Sequence, residues 1–201
     1  MRQWQKIMKY FIDGKPDEIF EEQMQKWNFQ GGLFVNNNTV IVQKCYAMKR
    51  IAFLIFSCDD DEFLGQLDPL LKKMIEVFKQ RQKDNNKGDI KQRLFLFFLT
   101  RVMLIRLNFQ TLTEQLRKLW PHLLNELISV FEVKLDSQNI LQGSKTDTLV
   151  PSLDKENTDL TIEAIKLVEL LSSLNIEDFQ QNQWIFLIDG YGMKLEKDVH
   201  G

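Results

Sequence analysis

The chain is poor in the residues that build metal centres and disulfide frameworks. Its 201 residues include two cysteines, Cys45 and Cys58, and two histidines, His122 and His200. Two scattered cysteines and two scattered histidines do not match the ligand spacing of a zinc site. One disulfide is conceivable, but so low a cysteine content favours a free-thiol intracellular protein. We therefore expect neither a metal nor a cofactor.

An excess of charge of either sign is also absent. The 26 basic and 28 acidic residues leave a net charge of −2, which gives no support to broad nucleic-acid binding. Neither a G-x-x-x-x-G-K-[ST] nor a G-x-G-x-x-G phosphate-binding motif occurs. The acids of Asp59–Glu62 are consecutive and lack the alternating spacing of a calcium loop. We expect no enzymatic activity, although a dispersed catalytic triad would be recognisable only by its geometry.

Long uninterrupted hydrophobic runs are missing as well. The most apolar stretch, Leu94–Leu107, contains no run longer than Leu94–Leu99, because Thr100, Arg101 and Arg106 interrupt it. A membrane-spanning helix needs about 20 predominantly apolar residues. The first residues, MRQWQKIMKYF, lack the apolar segment of a secretory signal. The sequence thus predicts a buried core helix in a cytosolic protein without a transmembrane span.

Arg101 and Arg106 stand out within this helix. Five residues apart, they lie about 140° from each other around the helix axis. A buried guanidinium is costly unless it is paired, so we expect each to reach solvent or to pair with a nearby acid, with Glu114 and Glu126 as candidates. An anion or partner site is the alternative.

What the sequence does contain is a succession of amphipathic helices. Helical periodicity predicts a first helix over Trp4–Phe11, a second from about Asp17, a third capped by Thr39 and ending near Phe56, and a fourth from Phe63 that restarts at Asp68-Pro69. A polar loop is expected over Gln80–Gly88, followed by Asp89 as the cap of the central helix.

The second half continues the pattern. Thr111–Glu114 is a capping box, and Pro121 predicts a kink or a new helix start. Leu160–Leu174 is predicted to be helical, and so is Phe179–Ile188, for which a strand is the alternative. Between them the polar Asp136–Asp159 reads as a mobile insertion. We predict an all-α fold: one helical domain over residues 1–201, built as a HEAT/armadillo-like α-solenoid of stacked antiparallel helix pairs. Because the chain begins within a helical pattern, it could be a fragment of a longer protein.

Three stretches resemble the C-terminal region of the Dopey family of Golgi and endosome trafficking proteins. The strongest is LFLFFLTRVMLIRL followed by LRKLWPHLLNELISVF, which carries Arg101, Arg106, Trp120 and Pro121. The second is EAIKLVELLSSLNIEDFQQNQWIFLIDG. Near its end it contains Trp184 and Asp189, which resemble residues of the family pattern. A weaker third consists of RQWQKIMKYFID and MKRIAFLIFS, while Phe29–Asn38 and Asp136–Asp159 match nothing.

The resemblance implies a large, non-enzymatic helical scaffold that is cytoplasmic and peripheral on trans-Golgi and endosomal membranes. Its implied partners are a large Arf-exchange-factor-like Golgi scaffold, a phospholipid flippase and, for some members, kinesin. The resemblance assigns no single residue to binding. Apart from it, a generic HEAT-like adaptor of nuclear transport or phosphatase scaffolding is the second alternative, and an enzyme with a dispersed site is the third.

Overall fold

The computed structural model describes residues 15–31, 36–58, 62–83, 90–107, 117–131, 155–174, 176–183 and 186. Within these ranges the chain is helical and contains no strand, as the all-α prediction expected. We number the helices in chain order: α1 Pro16–Asn28, α2 Asn37–Ser57, α3 Leu64–Lys83, α4 Ile90–Arg106, α5 over residues 117–131, α6 Lys155–Ser173 and the single turn α7 Glu177–Gln180. The predicted first helix and the capping box at Thr111 lie outside the described residues.

The start of α2 corrects one predicted cap. Asn36, not Thr39, is the N-cap: its side-chain oxygen accepts a hydrogen bond of 2.9 Å from the amide of Asn38. The carbonyl of Asn36 also accepts from the amides of Thr39 and Val40. Asparagine caps helices at least as well as threonine, and α2 therefore begins three residues earlier than a Thr39 cap would place it.

α3 runs without a restart at Asp68-Pro69. Pro69 lies inside the helix, where it has no amide hydrogen to donate to the Gly65 carbonyl. The helix also extends to Lys83, four residues into the predicted polar loop. Pro121 is likewise helical, within residues 117–131, and the prediction of a new helix start there is wrong.

Two further boundaries differ from the prediction. α6 begins by Lys155, so its first five residues come from the stretch assigned to the mobile insertion. Glu156 in that first turn bonds to Lys91 of α4 at 2.9 Å, a long-range ion pair that composition does not reveal. At the other end α7 is one turn, and residues 181–183 form a turn instead of the continuing helix predicted over Phe179–Ile188.

α2, α4 and α6 form one layer in which α4 lies in the middle, packed against both neighbours. Near the start of α4, Lys91 bonds to Glu156 at the start of α6, and farther along Arg101 reaches Glu163. At the end of α4, Arg106 donates to the carbonyl of Cys58, directly after α2. The three helices therefore run in the same direction.

α1, α3 and α5 form a second layer, so that successive helices of the chain belong to the two layers in turn. Phe20 of α1 stacks on Phe63, directly before α3, with ring centroids 5.1 Å apart. Lys118 of α5 lies 3.5 Å from Asp68 of α3. Arg93 near the start of α4 contacts Glu126 near the end of α5, so neighbouring helices of the two layers run in opposite directions. Antiparallel pairs stacked in two layers are the geometry of helical repeats.

The buried core lies between the layers and centres on α4, where Leu96, Phe97, Leu99 and Thr100 are at most 1% exposed. This confirms the buried-helix prediction for most of the stretch, although Ile105 is 51% exposed. Cys45 and Cys58 are buried thiols. None of the helices in the described ranges is long and apolar enough to cross a membrane.

Candidate docking surface

Three arginines connect α4 to three different helices. Arg93, which the sequence did not single out, is nearly buried and donates through Nε to Glu126 of α5. Its Nη2 also donates to the Ser129 hydroxyl at 2.7 Å. A charge-assisted, multiply bonded guanidinium of this kind orients two helices relative to each other. It is a structural group, not an open site.

Arg101 and Arg106 point in different directions, as their spacing predicted, but not to the acids proposed for them. Arg101 binds Glu163 of α6, and the second oxygen of Glu163 lies 3.4 Å from Lys166. Arg106 donates to the Cys58 carbonyl at 2.6 Å. Glu126 is bound by Arg93, and Glu114 lies outside the described residues. The candidate acids were chosen for closeness in sequence, whereas the fold pairs Arg101 with an acid 62 positions away.

Of the other family-signature residues, Trp120 is a core residue. It is 7% exposed, and its ring meets Phe179 of α7 edge-on at 5.8 Å. Pro121 beside it is exposed. Trp184 and Asp189 lie outside the described residues. Arg101, Arg106 and Trp120 thus hold helices together instead of forming one site.

The described residues form a concave groove on the surface. It lies between α1 and α2 and has a volume of about 610 Å³. It is lined by α1 side chains from Glu22 to Lys26, by Phe29 after the end of α1, and by α2 side chains from Gln43 to Arg50. We call it the α1–α2 groove. Its lining on α2 spans about two helical turns, or about 10 Å.

An apolar stripe of α2 runs beside and into this groove. Val42, Tyr46 and Phe53 are 41%, 60% and 43% exposed, and their spacing places them within about 40° on one face. Phe29, after the end of α1, is 44% exposed and lines the groove from the other side. Single exposed apolar residues are common, but an aligned set indicates an interaction surface.

Cations flank the stripe. The charged residues of α2 are Lys44, Lys49 and Arg50, with no acid among them, and none of the three forms an ion pair with a described carboxylate. The Lys49 ammonium lies 5.9 Å from the centre of the Phe53 ring. On α1, the hydrogen bond from Lys26 lowers the pKa of Glu22, and the charge of Arg50 contributes less.

A buried amide adds a polar group to the groove wall. Gln23 is 2% exposed and lines the groove, and its side-chain oxygen has no hydrogen-bond donor among the described groups. Buried polar atoms are usually hydrogen-bonded. The wall therefore combines aromatic surface, two cations and an acceptor without a donor.

The sequence contained a signal for this surface that was not used. The inward face of α2 carries the helically spaced residues Ile41, Cys45, Met48, Ala52 and Ile55. A second apolar series, Val42, Tyr46 and Phe53, occupies a different face of the same helix, and an ordinary surface helix has only one apolar face.

As for metals, the described residues hold no group of three or more His, Cys, Asp or Glu arranged to bind an ion.

A comparison with known protein families shows which family the chain belongs to. The family model described as DOP1 C-terminal matches residues 1–198 of this chain. The chain belongs to the DOP1, or Dopey, family. The match includes the three resembling stretches and the groove, and it confirms the resemblance found in the sequence. Membership in the Dopey family indicates a scaffold-type role, and the groove is a feature of its C-terminal region in this chain.

Two nematode relatives are similar to this Dopey region. Protein pad-1 of Caenorhabditis briggsae is 25% identical over 150 residues, and protein pad-1 of Caenorhabditis elegans is 24% identical over 148 residues; each alignment covers 72% of this chain. Each alignment covers only 6% of the pad-1 protein, so the chain corresponds to a small part of these relatives. No solved structure matches.

Proposed function

We propose that this chain is a non-enzymatic scaffold segment of a peripheral membrane protein in Golgi–endosome vesicle trafficking, and that it acts by binding other proteins. The observation that carries the proposal is the match to the DOP1 C-terminal family over residues 1–198. The α1–α2 groove supports it, because an exposed apolar stripe beside a concave wall is suited to protein binding.

The proposed partners follow from the Dopey resemblance. They are a large Arf-exchange-factor-like Golgi scaffold, a phospholipid flippase and kinesin, and the proposed location is the cytoplasmic face of trans-Golgi and endosomal membranes. Residues for binding are proposed only on the groove. The arginines of α4 are assigned to holding the helices, because each is bonded within the fold.

Affinity purification of the tagged chain from cells tests this role. We expect Golgi scaffold and flippase proteins to co-purify, and part of the chain to sediment with Golgi membranes and to be released by alkaline carbonate, as a peripheral protein is. Tyr46→Ala should reduce co-purification, whereas Ile165→Ala, which removes an exposed isoleucine of α6, is the matched control. A chain that is evenly cytosolic and captures no Golgi protein would contradict the proposed role.

A further inference from the structure

We propose that the α1–α2 groove binds an amphipathic helix of a partner protein whose carboxylates lie along the edge that faces Lys49 and Arg50. The inference deepens the proposed scaffold role and rests on it for the statement that the ligand is a protein. It specifies the chemistry of the partner: a helix with an apolar stripe and an acidic flank.

The shape of the groove favours a helix over a flat partner. Its walls are two antiparallel helices, and its lining extends about two turns along α2. An amphipathic helix that lies in such a groove inserts side chains at positions i, i+3, i+4 and i+7. Tyr46, Ala47 and Phe29 offer the apolar surface against which these side chains would pack.

The charge of the groove favours acids on the partner at the α2 edge. Lys49 and Arg50 are exposed, have no ion pair with a described carboxylate, and belong to a helix that carries no acid. Complementary charge across an interface increases the association rate and selects against partners of the wrong sign. A carboxylate beside Arg50 can accept two parallel hydrogen bonds from its guanidinium.

The opposite wall argues against an anionic membrane as the occupant. α1 carries four acids, Asp17, Glu18, Glu21 and Glu22, and a single base, Lys26. Glu22 lines the groove, and Glu18 lies one turn before it on the same face of α1; both are exposed and would repel anionic headgroups brought against this face. A bilayer surface is also flat and would not fill a concave groove.

Selection from a phage-displayed helix library against the full chain tests the proposal. The library consists of helices about four turns long with leucine on one face and Glu, Gln or Lys varied at the flanking positions. We expect Glu-flanked clones to be enriched on the wild-type chain. Tyr46→Ala should weaken the selected clones at least about tenfold, because exposed aromatic anchors dominate such interfaces. Ile165→Ala should leave them unchanged.

Charge reversal provides the sharper test. On the Arg50→Glu chain the selection should lose Glu-flanked clones and gain Lys-flanked ones. Enrichment of the same clones on wild type and Arg50→Glu, or no enrichment over phage without a helix, would overturn the proposal. Thermal unfolding of both groove variants should match wild type, because Tyr46 and Arg50 are exposed.

Two other occupants are separated by further measurements. Co-sedimentation with vesicles of phosphatidylserine and phosphatidylcholine that is lost in Arg50→Glu would assign the groove to a membrane and overturn the helix proposal. Concentration-dependent self-association that is lost in Tyr46→Ala would assign it to a second copy of the chain. The phage selection uses purified protein and does not depend on Golgi recruitment in cells. The helix-binding proposal and the proposed Golgi role can therefore fail separately.

Discussion

Arg101 and Glu163 join the central helix α4 to α6 across 62 positions of sequence through a hydrogen bond between Nη1 and Oε1. The side chain of Arg101 is 25% exposed and that of Glu163 10%, so the pair lies at the edge of the core. Lys166 approaches the other oxygen of Glu163 at 3.4 Å. Loss of the guanidinium would therefore leave the carboxylate with a second cation and partial access to water.

Replacing Arg101 by leucine should destabilise the fold moderately. Removal of one partner of a fully buried pair costs about 3–5 kcal/mol, but Lys166 and the partial exposure reduce this, and we expect about 1–3 kcal/mol. Urea denaturation measures the change, with Lys91→Leu, from an exposed pair of the same two helices, as a control that should scarcely shift the midpoint. If Arg101→Leu kept its melting temperature but lost membrane recruitment, Arg101 would be a binding residue.

Arg93 offers a stricter test, because both side chains of its pair are nearly buried. Arg93→Leu should cost about 3–5 kcal/mol, since it leaves the Glu126 carboxylate buried without that cation. The double variant Arg93→Met, Glu126→Leu should recover most of the loss, because apolar residues of similar volume often replace a buried pair at little cost. A double variant as unstable as Arg93→Leu would show that the other bonds of these residues dominate.

The residues themselves show which features a sequence predicts well. The apolar stripes of α1, α2 and α6 depend on spacing within about two turns, and these three predicted helices were found. The partner of Arg101 could not be predicted, because it is determined by which helices become neighbours in the packed layers. The Thr39 cap was wrong for a local reason: Asn36, three residues earlier, makes the capping bond instead. The groove depends both on the spacing of apolar residues within α2 and on the packing of α1 beside α2, and only the spacing can be read from the sequence.

Phe97 should be the most sensitive position of α4. It is fully buried, whereas Phe98 next to it is only partly buried. Phe97→Ala should cost about 3–5 kcal/mol through lost burial and the cavity left behind, a large share of a total stability of roughly 5–15 kcal/mol. Phe98→Ala is the matched control and should cost clearly less. Equal losses in chemical denaturation would contradict the orientation of the helix.

His122 should make the fold less stable at mildly acidic pH. Burial lowers the pKa of its imidazole, and the charge of Lys79 lowers it further. The unfolded chain, with an ordinary histidine pKa of about 6.5, then binds the proton more readily than the folded chain. The stability present above about pH 6.5 is lost as the pH falls through the lower folded-state pKa. Denaturation midpoints between about pH 7.5 and pH 5.5 should fall in wild type and fall less in His122→Gln.

α2, α4 and α6 run in the same direction, so within their layer the peptide dipoles point the same way, opposite to those of the antiparallel second layer. Each helix places about half a negative elementary charge at its carboxyl end, and these ends accumulate along one edge of the layer. Among the last turns of these three helices, only that of α4 contains a base, Arg106. Its guanidinium sits at the end of its own helix and binds the carbonyl of Cys58 after the end of α2. One side chain thus offsets the macrodipoles of two helices.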